Sequence, residues 1–341
     1  MTIWKRSRLV FFFFSTLSLL TNFNLLGQGK KGIQYMYLEE DENQIFLKRH
    51  SETEWFSEPK WSSDGKHIAF EKNIRIKRDK YGTIFSIICV VDVKEKKIKE
   101  VSQGPDDRYP KWTLDGKVIY LEDAYSEKPR IVCVPMDGKK KEVWLEKEGL
   151  QNFYLSPDNK KILLCYGPSK NEDVVILDLL SKKESKITVA SGIKPTTAFS
   201  CCWSPSSDEI AYFRVYKGGE GAQDSEFPND PAFFSRLFIF NLKTKQNREI
   251  IYSDEVTTMP SWSPNGNWIT YYTFYHRDNK IVINELRVVN IVSKYNFYLT
   301  CSNDFAAWSP DGKKIAFTRD GSIYISPVII RNSNFFSFNQ R

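Results

Sequence analysis

The chain has 341 residues, 41% of them hydrophobic and 27% charged, with 49 basic side chains against 42 acidic. That balance excludes a disordered chain, which cannot bury enough apolar surface, and a net charge of +7 spread over short Lys-rich turns is not the concentrated basic face of a nucleic-acid binder. Aromatic residues make up 15%, and Val, Ile, Thr, Tyr and Phe fall in short runs between Gly, Asn, Asp, Pro and Lys, so an all-β protein is expected.

The first predicted element is not part of the fold. Lys5, Arg6 and Arg8 precede a mostly apolar run from Leu9 to Leu20, followed by polar and small residues around Gly27, the order of a secretory signal peptide. The run is shorter than the ~20 residues a stable membrane-crossing helix needs. Residues 1–27 are expected to direct export and be removed, which leaves 46 basic against 42 acidic residues and no membrane span. No cysteine directly follows the run, so no lipid anchor is expected and the location is periplasmic or secreted.

Residues Gly32 to His50, GIQYMYLEEDENQIFLKRH, have strand composition. From there one pattern recurs six times: WSSDGKHI at Trp61, WTLDGKVI at Trp112, LSPDNKKI at Leu155, WSPSSDEI at Trp203, WSPNGNWI at Trp262 and WSPDGKKI at Trp308. An isoleucine stands seven positions after each anchor, at Ile68, Ile119, Ile162, Ile210, Ile269 and Ile315. The anchor is expected to end one strand and bury its side chain. Pro then presets φ, Asp or Asn with Gly closes a turn, and the next strand alternates apolar and polar positions. Strand-like runs such as Phe85 to Ser102 and Leu237 to Tyr252 supply a second pair, giving four strands per unit.

Anchor intervals of 51, 43, 48, 59 and 46 residues match the period of propeller blades, which cannot bury both faces alone and must stack. The expectation is a six-bladed β-propeller over residues 32–330, or one of seven blades, with 331–341 as a tail. The N-terminal strands have no anchor before them and the last unit lacks strands after it. Each deficit fills the other if the N-terminal strands complete the last blade, which leaves no open sheet edge.

The longest interval holds KGGEGAQDSEFPNDPAFFSR, Lys217 to Arg236. Long loops on a rigid scaffold are where binding usually resides. Lys217, Phe227, Phe233, Phe234 and Arg236 are therefore the candidate partner contacts, against the plainer reading of a tolerated insertion. Trp55, Trp144 and Trp268 lie outside the anchor register and are candidates for exposed contact. Cys89, Cys133 and Cys165 sit in apolar runs and read as buried free thiols.

These six strings resemble the Trp-Ser-Pro-Asp-Gly repeats of the TolB-type β-propellers, shared with the propellers of prolyl-oligopeptidase-like peptidases. The resemblance covers nearly all of the chain after the leader. It implies a periplasmic protein-recognition scaffold, although TolB carries an α/β domain before its propeller and strands here begin directly after the leader. The chain shows no Gly-x-Ser-x-Gly nucleophile turn and no phosphate loop. Its histidines, His50, His67 and His276, have no metal-ligand spacing. Asp64, Asp115, Asp158 and Asp311 fit turn caps. The expectation is a monomeric, non-enzymatic scaffold for a protein partner in the cell envelope, with no catalytic residue, metal, cofactor or nucleic acid. The alternative is a carbohydrate-active propeller, binding glycans or cleaving uronic-acid oligosaccharides.

Overall fold

A computed structural model of the chain describes residues 33–39, 45–76, 83–166, 174–187, 200–217, 233–253, 255–277, 280–302 and 304–333. Two units are present, Tyr35–Arg331 and a second made of Met1–Gln34 with Asn332–Arg341, which contributes four residues to the described set.

The first unit is a ring of six antiparallel sheets. Two strands come first in the chain, β1 (Ile33–Leu38) and β2 (Ile45–Leu47). Blade 1 consists of β3 (Glu54–Trp61), β4 (His67–Ile76), β5 (Thr83–Asp92) and β6 (Ile98–Glu100). Blade 2 consists of β7 (Arg108–Trp112), β8 (Val118–Glu122), β9 (Arg130–Val134) and β10 (Glu142–Glu146), and blade 3 of β11 (Leu150–Leu155), β12 (Lys161–Tyr166), β13 (Val174–Asp178) and β14 (Glu184–Lys186). Blade 4 is β15 (Cys201–Trp203), β16 (Glu209–Lys217), β17 (Phe233–Asn241) and β18 (Asn247–Ser253). Blade 5 is β19 (Val256–Trp262), β20 (Trp268–Arg277), β21 (Lys280–Asn290) and β22 (Asn296–Cys301). Blade 6 has β23 (Asp304–Trp308), β24 (Lys314–Arg319) and β25 (Ser322–Ser333), completed by β1 and β2, which both pair with β25. The first strands of the six blades touch in sequence, β3 to β7 to β11 to β15 to β19 to β23, and β23 returns to β3. The ring is closed, with the expected six blades and the expected N-terminal completion.

Every anchor is the last residue of its blade's first strand. In the turn that follows, Ser62 Oγ donates to Asp64 Oδ1 at 2.6 Å, and the Lys66 N–H donates to the same oxygen at 3.0 Å. Ser156 with Asp158 and Ser309 with Asp311 repeat the first bond at 2.6 Å. These aspartates are turn caps, and the bonds they accept hold Asp64 and Asp311 below the usual carboxylate range. The fourth turn, SPSSD, keeps the geometry: Ser207 takes φ +62, the left-handed position occupied by Gly65 and Gly312 at φ +69 elsewhere.

Six apolar clusters fill the six spaces between blades. Each anchor packs in the cluster shared with the preceding blade: Trp61 between blades 6 and 1, Trp112 between 1 and 2, Leu155 between 2 and 3, Trp203 between 3 and 4, Trp262 between 4 and 5, Trp308 between 5 and 6. Three indoles also donate across that space. Nε1 of Trp112, Trp203 and Trp308 bonds to the carbonyls of Lys60, Tyr154 and Ser261, each the residue just before the preceding blade's anchor.

One expectation is corrected. Trp268 is 1% exposed and lies in the core between blades 5 and 6 with Leu286, Val288 and Trp308, because the first residue of β20 faces its neighbouring blade. Cys89, Cys133 and Cys165 are buried free thiols as expected, and so is Cys201. Burial pushes the Cys89 thiol up to about 12 and that of Cys133 to about 11.

Candidate functional site

The first strands wall the central channel, and three of them carry the same local string: Glu58-Pro-Lys-Trp in β3, Tyr109-Pro-Lys-Trp in β7 and Met259-Pro-Ser-Trp in β19. The residue before the proline has positive φ in all three, +51 at Glu58, +58 at Tyr109 and +56 at Met259. A proline pushes the preceding residue toward extended backbone, and side chains other than glycine avoid this region, so each position stores on the order of 1–3 kcal/mol. Strand register shifts at the same places, between Ser57 and Lys60, Arg108 and Lys111, and Thr258 and Ser261. These are β-bulges, which re-aim side chains at the rim of a closed sheet.

At blade 2 the surroundings that hold the bulge are visible. The Tyr109 N–H donates to Glu71 Oε1 at 2.7 Å, and its carbonyl accepts from Lys111 Nζ at 3.0 Å. Glu71 is buried and accepts from Ser57 Oγ at 2.8 Å, with the Arg108 guanidinium 3.5 Å away. Arg108 donates to Asn73 Oδ1 at 2.8 Å, and Asn73 donates to Ser57 Oγ at 2.8 Å. This polar network joins β3, β4 and β7 and fixes blade 2 against blade 1. Burial, with the charge of Glu58 nearby, pushes the Glu71 carboxyl above the usual range, and Arg108 only partly offsets it.

Two lysines stand one position before their anchors on neighbouring blades. Lys60 Nζ pairs with Glu58 at 3.0 Å and lies 5.4 Å from the Phe305 ring. Lys111 Nζ lies among three rings, 4.8 Å from Phe153, 5.3 Å from Tyr154 and 5.8 Å from Tyr109. Burial lowers the Lys111 ammonium to about 8 against the attraction of Glu58 and Glu71. The arc of channel wall formed by blades 1–3 is thus a frame of aromatic rings around fixed charges, suited to binding an anionic or aromatic group.

The sequence-predicted contacts lie elsewhere. Lys217 and Phe233 pair as the last residue of β16 and the first of β17, and Phe227 lies outside the described residues. Phe234 and Arg236 belong to β17, where Arg236 pairs with Glu249 at 3.1 Å and its guanidinium lies 5.6 Å from Phe234 and 5.7 Å from Tyr252. The structure brings these two together on the face of blade 4, with Tyr252 57% exposed beside them. Among the described residues no group of three His, Cys, Asp or Glu side chains is placed to hold a metal ion, and no helix is long and apolar enough to cross a membrane. Sequence reasoning passed over Glu58, Lys60, Tyr109 and Lys111, for which the repeated x-Pro-x-Trp string was the available signal.

No family model matches the sequence, and neither does any curated protein. Solved structures do match. A putative TolB from Agrobacterium tumefaciens superposes with a TM-score of 0.57 at 15% identity, over 83% of this chain and 91% of that one. TolB from Acinetobacter baumannii gives 0.55 at 18% identity over 71% of this chain, which spans 59% of that protein. An oligogalacturonate lyase in complex with manganese gives 0.54 at 12% identity, over 88% and 98%. The chain has the β-propeller fold of these proteins, and at such identities the likeness extends to the fold alone.

Proposed function

We propose that this protein is an exported, non-enzymatic propeller that holds a protein partner in the cell envelope, with the channel wall of blades 1–3 as its principal contact. The observation carrying this reading is the arc itself: left-handed backbone at Glu58 and Tyr109, held at Tyr109 by bonds to Glu71 and from Lys111, keeps charges and rings in fixed positions. Such preorganisation lowers the entropy cost of recognition. The TolB-type repeats and the leader-like N-terminus support the envelope location, and solved TolB structures superpose on this chain's propeller. Phe234, Arg236 and Tyr252 on blade 4 form a second, smaller contact.

The test is capture of partners by cross-linking from intact envelopes, with the wild type beside a variant carrying Lys60→Ser, Tyr109→Ser and Lys111→Ser. A protein captured by the wild type and lost by the variant supports the reading. Export failure of a tagged full-length chain, or release of unsaturated uronates from oligogalacturonate by the purified protein, overturns it in favour of a different compartment or the carbohydrate-active alternative.

A further inference from the structure

Lys111 is incompletely used by its own protein. An ammonium has three N–H donors, and one of them goes to the Tyr109 carbonyl at 3.0 Å. Among the described residues no carboxylate stands within ion-pair distance of it: Glu58 is taken by Lys60, and Glu71 by Ser57, Arg108 and the Tyr109 N–H. Rings of Tyr109, Phe153 and Tyr154 hold the ammonium by their faces and fix where its remaining donors are presented.

We infer that Lys111 receives one carboxylate, from an acidic side chain of the protein partner inserted into the channel beside blades 1–3. The inference rests on the protein-binding reading and names the chemistry of that partner. A carboxylate forms charge-assisted bonds with the free N–H groups, in surroundings where a charged hydrogen bond is stronger than in water. A single acidic side chain fits better than an acidic glycan. An oligouronate carries a carboxylate on every ring and requires several uncompensated cations in a row, whereas the neighbouring Lys60 is already neutralised by Glu58.

Proton linkage supplies a specific readout. Desolvation holds the amine near 8; the groups facing it are Glu58 and Lys60 on β3, Glu71 on β4, Tyr109 on β7, Tyr154 on β11 and Cys165 on β12. A bound carboxylate favours the charged amine, so binding above pH 8 takes up a proton and weakens about tenfold for each further pH unit.

The probes are the acetylated, amidated hexapeptide Glu-Tyr-Glu-Tyr-Glu-Tyr, its counterpart with Gln for Glu, and trigalacturonate, titrated calorimetrically in two buffers of different ionisation enthalpy. The Glu peptide is expected to bind at least about tenfold more tightly than the Gln peptide, the worth of one charged hydrogen bond. Lys111→Met should erase that discrimination. Lys111→Arg should keep it and abolish proton uptake above pH 8. Equal binding of the two peptides by the wild type, discrimination that survives in Lys111→Met, or binding of trigalacturonate in place of the Glu peptide overturns the site. If Lys111→Met captures the same envelope protein as the wild type, the carboxylate site fails and the scaffold reading stands.

Discussion

A lysine moved from water into a wall of aromatic rings loses hydration that one carbonyl and three ring faces only partly replace. For Lys111 the result is an amine at about 8 in place of the ordinary 10.5. Between those values the unfolded chain binds a proton that the folded one does not, so this residue's contribution to stability rises with pH across that window, and below pH 8 its full cost is present. Lys111→Met is therefore expected to stabilise the fold at pH 7, by at most ~3 kcal/mol at the usual conversion per pH unit, less what the lost ring and carbonyl contacts were worth. The gain should shrink steadily between pH 8 and pH 10 in urea unfolding; a gain independent of pH would show that the cost is packing and not charge. The strings holding this site stand in the sequence, but the left-handed backbone at Glu58 and Tyr109 does not follow from them. The residue before a proline is expected to be extended. At Tyr109 the left-handed conformation is held by Glu71, a residue 38 positions away along the chain and reached only after blades 1 and 2 stack.

At the scale of the element, the hairpin turns were fully legible, because their geometry is local. Ser, Asp and a left-handed fourth position close them even where the letters drift to SPSSD. What the anchors do was half legible: a tryptophan in fixed register predicts burial, but not the bond it sends to the blade before. That bond makes the anchors unequal. Trp308→Ala, which empties a buried site, should cost about 3–5 kcal/mol. Trp112→Phe keeps most of the apolar surface and loses the bond to the Lys60 carbonyl, for a cost of about 1 kcal/mol beyond the packing change. Trp61 Nε1 is buried without an acceptor, so Trp61→Phe should cost less than Trp112→Phe in paired urea melts. Equal costs would mean that the indole bonds contribute nothing. Trp268 shows the limit of register reasoning. The equivalent position holds polar His67, Lys161 and Lys314 in three other blades, yet that face meets the adjacent blade where the side chain is apolar, as at Trp268 and Val118.

For the whole molecule, closure was readable as a deficit at each end of the repeat array, because an unfilled blade leaves a strand edge that must be paired. The seam where blade 6 meets blade 1 was not readable, since it depends on a close approach between residues more than 260 positions apart. There the Phe56 N–H donates to the Gly321 carbonyl at 2.9 Å, and the Arg49 N–H donates to Ser322 Oγ at 3.2 Å. Gly321 has φ +71, and a Cβ on it would lie 2.8 Å from Trp55 Cβ and 3.4 Å from Trp55 Cα, atoms that cannot yield without moving β3. Gly312 provides the matched control: its φ is +69, but the nearest atom to an added Cβ is 3.8 Å away. Gly312→Ala should therefore cost about 1 kcal/mol, the penalty of the backbone conformation alone. Gly321→Ala adds overpacking at the seam and should cost roughly 1–3 kcal/mol more. The excess should appear as faster hydrogen exchange in β3 and β25, while the interface of blades 3 and 4 stays protected. Identical melting of the two variants would place the stability of the ring elsewhere than at this junction.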